Sequence, residues 1–574
     1  MRTSILRAIS CVIITAAGAA QAADLAVKAP PVPPVPWSWT GFYVGAHVGG
    51  GAGTTGFDDP FGPSIYGDNV RTPKALAGLQ AGYNWQAPGS NVVLGVEADV
   101  SAIDSNGTQT CLAFSGYFLS ANCRVRQDVT ASLTGRLGVA VGAGGHTLLY
   151  AKGGAALLHD RKDITINPVG EPFVTSLSDT RVGWTVGAGV EHAIAPAWSV
   201  KLEYDYADFG KSTIDVPPSF FQILPPLSFY AAIPATTTRV SQDVHLFKLG
   251  LNYRVNADAT ARWDSAAPIR FAKAAPAAWA PGWTFEAGGR YWYSSGRFQK
   301  DLGGTFEQSQ QTTLNSRLTY DSKANSGEFF GRIDTPVKLF VKGFIGGGKL
   351  VSGGQLTDED WFIPTGLVTS VPYSNTLSSV SGDLTYGTID VGYNLLSGPG
   401  YKLGGFVGYN YYRENKSAYG CIQFANPNAG CVPAVPSSVL AITEDDKWQS
   451  LRVGASAELQ LGYGFKVTGD AAYLPYVSVK GFDYHVLRNL PLPESGLGQG
   501  VQLEAILSYS VTPNFNVGVG GRYWAMWATR DAYTNFGGEP CPCQPLPMRT
   551  DRYGTFVQAS YAFNPPPAPV SAKD

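Results

Sequence analysis

Residues 450–461 read Ser-Leu-Arg-Val-Gly-Ala-Ser-Ala-Glu-Leu-Gln-Leu, with apolar side chains at every second position. In an extended strand successive side chains point to opposite faces, so this period of two gives one apolar and one polar face. The same alternation recurs in residues 91–100, 198–206 and 244–254. Strands of about ten residues with this pattern are typical of transmembrane β-barrels, whose outer face meets lipid.

Segments of this kind fall into two groups, separated by residues 256–281, which are rich in Ala and Pro and lack the alternation. The first group has eight segments, near 40–52, 73–86, 91–104, 128–141, 146–158, 180–193, 197–210 and 241–254. The second has ten, near 283–297, 315–333, 336–352, 381–397, 400–416, 447–462, 464–485, 499–511, 514–531 and 550–563. Long and short connections alternate, as expected for outer-membrane barrels with long outer loops and tight periplasmic turns.

The sequence therefore predicts an all-β protein with two transmembrane antiparallel barrels in tandem. The first, over 38–255, has about eight strands and the second, over 282–563, about ten, with a periplasmic linker at 256–281. A single 18-stranded porin that uses all the segments is the alternative architecture, and the linker argues against it.

Composition restricts the possible classes of protein. Only 15% of the 574 residues are charged and the net charge is −2, so a nucleic-acid partner is not expected. A helical-bundle membrane protein is excluded, because it would need several apolar runs of about 20 residues and this sequence has only the shorter stretch at 8–19. A hydrophobic content of 44% excludes a disordered chain.

The N-terminus indicates export. Two Arg precede an apolar stretch at 8–19 and the sequence Ala20-Gln21-Ala22, so residues 1–22 are predicted to be a signal peptide. A Pro-rich spacer over 23–37 follows, and residues 564–574 are predicted to be a flexible tail.

Six cysteines remain after the predicted cleavage, all in long connections, and each is close in sequence to one other. This spacing predicts three local disulfides in an oxidising compartment, with free or metal-bound thiols as the alternative. The pairs are Cys111–Cys123, Cys421–Cys431 and Cys541–Cys543.

An eight-stranded barrel is wide enough only for its own side chains, so the polar parity of the first barrel is expected to form an internal ion-pair network. The residues concerned are Glu97, Asp99, Arg136, Glu191, Lys201, Glu203, Asp205, Lys248 and Arg254. Ala23-Asp24-Leu25, Ser38-Trp-Thr-Gly-Phe-Tyr-Val-Gly45 and Phe247-Lys-Leu-Gly-Leu-Asn-Tyr-Arg254 resemble the porin-like outer-membrane surface proteins with OmpA-type barrels. That resemblance implies surface structure or adhesion.

Two acidic constellations stand out in the second group. Asp358 and Asp360 follow the third segment, and Asp483 and His485 end the seventh. Residues i and i+2 of a strand share a face, and the third and seventh strands of a ten-stranded barrel lie opposite each other, so the two pairs are expected to face across one mouth. A His held by a carboxylate can deprotonate water, and two close carboxylates can retain a proton for a leaving group. Acidic loops that cap turns or bind divalent cations beside lipopolysaccharide are the alternative.

Four stretches of the second group form a further pattern: residues 464–485, Asp358-Glu-Asp-Trp361, Ser316-Arg-Leu-Thr-Tyr320 and Tyr561-Ala-Phe563. Together they resemble the omptin family of outer-membrane endoproteases. The resemblance implies that Asp483 and His485 activate water and that Asp358 and Asp360 form the facing acid couple. The acidic pocket of the family is not retained at Gly481, where this chain has no carboxylate, so the cleavage preference stays open. Its other carboxylate falls near Lys300 or Asp301.

Side-chain parity adds a structural requirement. Counting by twos from Phe465 puts Asp483 on the lipid side, so a bulge near Pro475, or twist above the bilayer, must turn it inward.

The predicted protein is thus an outer-membrane barrel protein with a surface endopeptidase domain that uses activated water. No metal ion or cofactor is expected, and lipopolysaccharide is a candidate requirement for activity. Expected partners are outer-membrane lipid, lipopolysaccharide and surface peptides. A non-enzymatic surface, structural or porin-like protein is the alternative.

Overall fold

Two barrels of antiparallel strands make up the computed structural model of the chain. It describes residues 37–59, 69–114, 119–166, 173–222, 230–233, 235–255, 282–303, 314–363, 371–398, 400–425, 430–536 and 543–563. The predicted signal peptide, linker and C-terminal tail lie outside the described residues, as does the predicted spacer apart from Trp37. None of the described helical segments is long and apolar enough to cross a membrane.

The first barrel closes in the strand order β1-β10-β7-β6-β5-β4-β3-β2, and β8 and β9 form a separate hairpin. The strands are β1 Gly41–Phe57, β2 Asn69–Gln86, β3 Val92–Phe114, β4 Leu119–Val141, β5 Thr147–Ile166, β6 Phe173–Ala195, β7 Trp198–Val216, β8 Ser219–Gln222, β9 Tyr230–Ile233 and β10 Thr236–Arg254. The predicted eight-stranded barrel is confirmed.

Charged side chains fill the first barrel. Lys152 Nζ lies 2.9 Å from Glu203 Oε1, and Lys248 Nζ lies 2.9 Å from both Asp99 Oδ1 and Asp205 Oδ2. Of the nine residues predicted to form this network, all but Arg254 belong to it, and Lys152 is an addition. Arg254 instead donates to the backbone carbonyls of Ser38 and Pro196 at the end of the barrel.

The second barrel has ten positions in its wall. Its strands are β11 Thr284–Gly303, β12 Leu314–Asp334, β13 Leu339–Leu350, β14 Gly354–Ile363, β15 Val371–Gly398, β16 Tyr401–Gln423, β17 Val435–Gly462, β18 Phe465–His485, β19 Leu490–Ser510, β20 Phe515–Asn535, β21 Cys543–Pro545 and β22 Met548–Phe563. Pairing of β11 with both β12 and β22 closes the ring. Both β13 and β14 lie between β12 and β15, so they form one interrupted wall strand. A single 18-stranded porin is therefore wrong.

The strands run further than the lipid-facing alternation predicts. Asp358 and Asp360, predicted in a long connection, lie on β14, and Cys111, Cys123, Cys421 and Cys543 lie on strands as well. The prediction was wrong at these ends because apolar alternation stops at the bilayer surface, whereas the hydrogen-bonded ladder continues into water.

Two of the predicted disulfides, Cys111–Cys123 and Cys421–Cys431, are present. Cys543 is also disulfide-bonded, and its predicted partner Cys541 lies outside the described residues.

The barrels lie side by side. Arg71 of the first barrel forms a 3.1 Å ion pair with Asp551 of the second, and Thr110 donates to Glu359 at 2.8 Å. We call the end of the second barrel opposite the short turns 335–338, 463–464 and 511–514 the outer rim.

Candidate active site

A bulge in β18 turns Asp483 and His485 into the barrel. On β17, Leu451 pairs with Tyr476 and Val453 with Tyr473, so two residues of β18 oppose one of β17. On β19, Leu474 pairs with Gly500 and Val477 with Gly498, so here too two residues of β18 oppose one of the neighbouring strand. The extra residue lies beside Pro475, which suits a bulge because Pro cannot donate to the ladder. The predicted bulge is thus present.

Asp483 and His485 form a hydrogen-bonded pair at the outer rim. His485 Nε2 lies 3.1 Å from Asp483 Oδ2, and the two residues are 9% and 1% exposed. Burial alone would lower the pKa of His485, but the adjacent Asp483 carboxylate outweighs it and raises the pKa above the usual value. Burial also opposes ionisation of Asp483, yet Lys300 and His485 hold the pKa of this carboxyl below its usual range.

Lys300 is a third member of this group that sequence reasoning did not assign. Its ammonium lies 2.8 Å from Asp483 Oδ2 and 2.6 Å from Glu494 Oε1, and it also contacts Glu444. On β11 the lipid-facing aromatic residues end at Tyr293, so Lys300 lies above the membrane band. The residue that faces the site from β11 is therefore Lys300, whereas Asp301 binds Arg317 at 2.7 Å.

Asp358 and Asp360 stand on β14, across the barrel from β18. Glu359, between them, accepts a hydrogen bond from Thr110 of the neighbouring barrel and so points outward, which leaves the two aspartates on the inner face. Burial and the neighbouring Asp360 charge raise the pKa of Asp358 to about 7. The charge of His485 acts on both aspartates and that of Asp483 acts on Asp358, so the four predicted site residues share one electrostatic environment.

An acidic cluster adjoins the dyad. Carboxylate oxygens of Glu444, Asp446 and Glu494 lie within 4.8 Å of one another, a spacing that could hold a cation. Lys300 and Lys416 already supply positive charge there, and Lys416 Nζ lies 2.7 Å from Asp446 Oδ2. The cluster is missing from the sequence prediction because β17 was predicted to begin at 447, after the Glu444-Asp-Asp446 run whose alternate residues face inward.

Gly481 leaves room for this cluster. A Cβ atom at Gly481 would lie 2.9 Å from Asp446 Oδ1 and 3.1 Å from Glu494 Oε2. Carboxylates from the neighbouring strands therefore occupy the space that a side chain at 481 would take.

Aromatic side chains fill the barrel below the site. Trp292 packs edge-on against Trp524 with ring centroids 5.2 Å apart, and Trp448 packs edge-on against Phe298 with ring centroids 6.5 Å apart. Arg552 of β22 crosses the lumen and donates hydrogen bonds to Tyr412 and Glu414, which both lie on β16. The lumen between the site and the short turns is thus filled by side chains.

Lipid-facing alternation outside and filled lumens inside define a pair of integral β-barrel domains. The family model described as the outer membrane protein beta-barrel domain matches residues 9–254, and that of the Omptin family matches residues 336–535. Over 226 residues the chain is 31% identical to the 31 kDa outer-membrane immunogenic protein of Brucella melitensis, which covers 38% of this chain and 84% of the relative. It is 29% identical over 183 residues to the 22 kDa outer membrane protein of Rhizobium leguminosarum, which covers 31% of this chain and 68% of that protein.

The chain therefore belongs to the outer-membrane β-barrel protein family, carries an omptin-family domain in its second half, and resides in the outer membrane. Among solved structures, the outer membrane protease OmpT of Escherichia coli is 16% identical, with 49% of this chain and 97% of that chain covered and a TM-score of 0.41.

Proposed function

We propose that the second barrel is a cell-surface endopeptidase that hydrolyses peptide bonds with an activated water. The observation that carries the proposal is the buried Asp483–His485 pair, which lies at the outer rim and shares its electrostatic environment with Asp358 and Asp360. The omptin-family match over 336–535 includes all four residues.

In the proposed reaction His485 removes a proton from a water molecule held between the two pairs. The resulting hydroxide attacks the peptide carbonyl carbon, and the Asp358–Asp360 couple donates its retained proton toward the departing amine. Asp483 fixes the orientation of the imidazole and stabilises the imidazolium that forms. The C–N bond breaks, and the proton on His485 then passes through solvent to the Asp358–Asp360 couple, so both groups are restored and no covalent enzyme intermediate forms.

The substrates we propose are peptides or proteins at the cell surface, because the long connections are expected to face the exterior. Lipopolysaccharide is proposed as a membrane partner that activity requires. The substrate side chain that enters the acidic cluster beside Lys300 sets the cleavage preference in this proposal. A digest of a peptide library identifies that side chain.

A non-enzymatic surface protein is the second candidate, and one observation favours it. Lys300 bonds the same Asp483 oxygen as His485, an arrangement that a purely structural ion-pair network also produces. In that case the acidic rim binds cations or lipopolysaccharide and performs no hydrolysis.

One experiment separates the two candidates. Refolded protein with lipopolysaccharide is incubated with a peptide library, and cleavage products are identified by mass spectrometry. His485→Ala is expected to lower the rate by roughly 10²–10⁴-fold, since it removes the general base. His192→Ala is the matched control, because His192 is also buried but bonds Thr147 in the first barrel. Equal inactivity of wild type and His485→Ala assigns the structural role.

A further inference from the structure

The outer face of β14 is covered by the β3–β4 hairpin of the first barrel. Thr110 accepts a hydrogen bond from Arg317 Nη1 at 2.9 Å and donates to Glu359 Oε2 at 2.8 Å. Ser120, on the other strand of the hairpin, accepts from the Trp361 indole N–H at 2.9 Å. The contact therefore involves Glu359, which lies between Asp358 and Asp360, and Trp361, which follows them.

These contacts remove charge from water. Arg317 and Glu359 are both 0% exposed, although each points away from the lumen of its own barrel. Within the second barrel, Asp301 accepts from Arg317 at 2.7 Å and Tyr373 donates to Glu359 at 2.7 Å. Thr108, Thr110 and Asn122 complete the set from the first barrel, with Thr108 accepting from Arg317 at 3.2 Å and Asn122 at 2.7 Å. A buried charge that loses a hydrogen-bond partner is costly, so the interface is specific for a matched hairpin.

The hairpin is built to hold its shape. The Cys111–Cys123 disulfide joins its strands next to Thr110, and both cysteines are 0% exposed in a cluster that includes Val125 and Ile164. Because the cysteines face into the first barrel, alternation turns Thr110 toward the second. A crosslinked hairpin anchored in a core is a rigid support for another strand.

We infer that the β3–β4 hairpin of the first barrel is a positioning element for the second, and that it holds β14 so that Asp358 and Asp360 face the dyad. The first barrel thus supports the site of the second from outside, which gives the fusion of a small filled barrel to an omptin-like barrel a physical role. The kinetic part of this inference rests on the proposed function, whereas the docking itself does not.

Hydrogen exchange tests the docking without reference to activity. Thr110→Val keeps the side-chain shape and removes the hydroxyl that joins Arg317 to Glu359. Amide exchange of the 354–363 peptide, measured by mass spectrometry on full-length protein in detergent micelles, is expected to quicken by about tenfold. Thr130→Val is the matched control, because Thr130 is also buried but donates to the Leu157 carbonyl at 2.9 Å within the first barrel.

Peptide hydrolysis tests the functional consequence. Thr110→Val is expected to lower kcat by about tenfold with KM changed less than twofold, because misplaced groups lose transition-state contacts. Thr110→Ser restores the hydroxyl and is expected to restore both exchange protection and kcat. Circular dichroism establishes that each variant is folded.

Each result decides a part of the inference. If exchange over 354–363 is the same in Thr110→Val and Thr130→Val, the hairpin does not support β14 and the inference is overturned. If exchange quickens but kcat is unchanged, the docking stands and the positioning role fails. If the wild-type protein cleaves no peptide, the proposed function fails, while the exchange measurement still decides the docking.

Discussion

Lys300 Nζ and His485 Nε2 both contact Oδ2 of Asp483, at 2.8 Å and 3.1 Å. One carboxylate oxygen thus serves two partners, so the negative charge of Asp483 does not act on the imidazole alone. The Lys300 ammonium also opposes protonation of His485, so the pKa of that imidazole is raised less than Asp483 alone would raise it. Lys300 is therefore in a position to set the pH at which His485 becomes a free base.

Lys300→Met is expected to shift the acidic limb of the kcat/KM–pH profile upward by about one pH unit. Loss of the ammonium lets the pKa of His485 rise, and the proposed reaction needs the neutral imidazole. Lys416→Met is the control, because Lys416 is equally buried but bonds Asp446 at 2.7 Å. Identical acidic limbs in the two variants would show that Lys300 does not act on the dyad.

The Asp358–Asp360 couple is expected to control the basic limb of the kcat/KM–pH profile. The pKa of Asp358 is about 7, and the proposed reaction needs the proton that the couple retains, so activity is expected to fall above pH 7. Asp360→Asn removes the neighbouring negative charge, so the pKa of Asp358 falls and the basic limb moves to lower pH. Asp445→Asn, which breaks a pair with Arg413 on the same barrel, is expected to leave the limb in place. If the basic limb of Asp360→Asn lies at the same pH as that of the wild type, the charge of Asp360 does not act on Asp358.

The same raised pKa has a consequence for stability. Asp358 holds its proton in the folded barrel up to about pH 7, whereas the unfolded chain releases it near an ordinary value of 3.8. The folded state therefore binds more protons between these values, and its stability falls as pH rises through them. The apparent melting temperature of Asp358→Asn relative to wild type is expected to increase between pH 5 and pH 8, by a few degrees. A constant difference across this range would show that Asp358 is not protonated when buried.

The membrane band of the fold is predictable from sequence because lipid imposes a strict rule. Outward residues such as Leu451 and Val453 must be apolar, so alternation, strand number and the short turns follow from the pattern. The rule ends at the bilayer surface, where a polar strand and a polar loop have the same composition. Asp358 and Asp360 were for this reason predicted in a connection when they lie on β14.

For the same reason, the sequence predicts only some of the residues of the candidate site. Asp483 and His485 are recognisable as an i, i+2 pair, and the parity conflict with Phe465 indicates the bulge. Glu444 gives no comparable signal, and the sequence does not decide between Lys300 and Asp301, because inward and outward charges look alike above the membrane. Arg317 resembles a solvated rim residue, and its contact with Thr110 depends on tertiary structure that no local pattern contains.

The β18 bulge makes a prediction about chain length at the site. It inserts one extra residue between Tyr473 and Val477, so deletion of Pro475 alone should restore regular pairing with β17 and β19 while Asp483 and His485 still face inward. Deletion of both Pro475 and Tyr476 should turn every later residue of the strand to the opposite face.

The two deletions are expected to differ in activity, although the longer one perturbs the strand by only one further residue. The single deletion should keep peptide hydrolysis within about tenfold of wild type, and the double deletion should abolish it, with circular dichroism showing β-structure in both. Pro475→Ala controls for loss of the ring at unchanged length. If the folded double deletion still cleaves peptides, hydrolysis does not depend on an inward-facing Asp483 and His485. If the folded single deletion is inactive, the bulge shapes the site by more than side-chain parity, because parity alone is the same with one residue removed as with none.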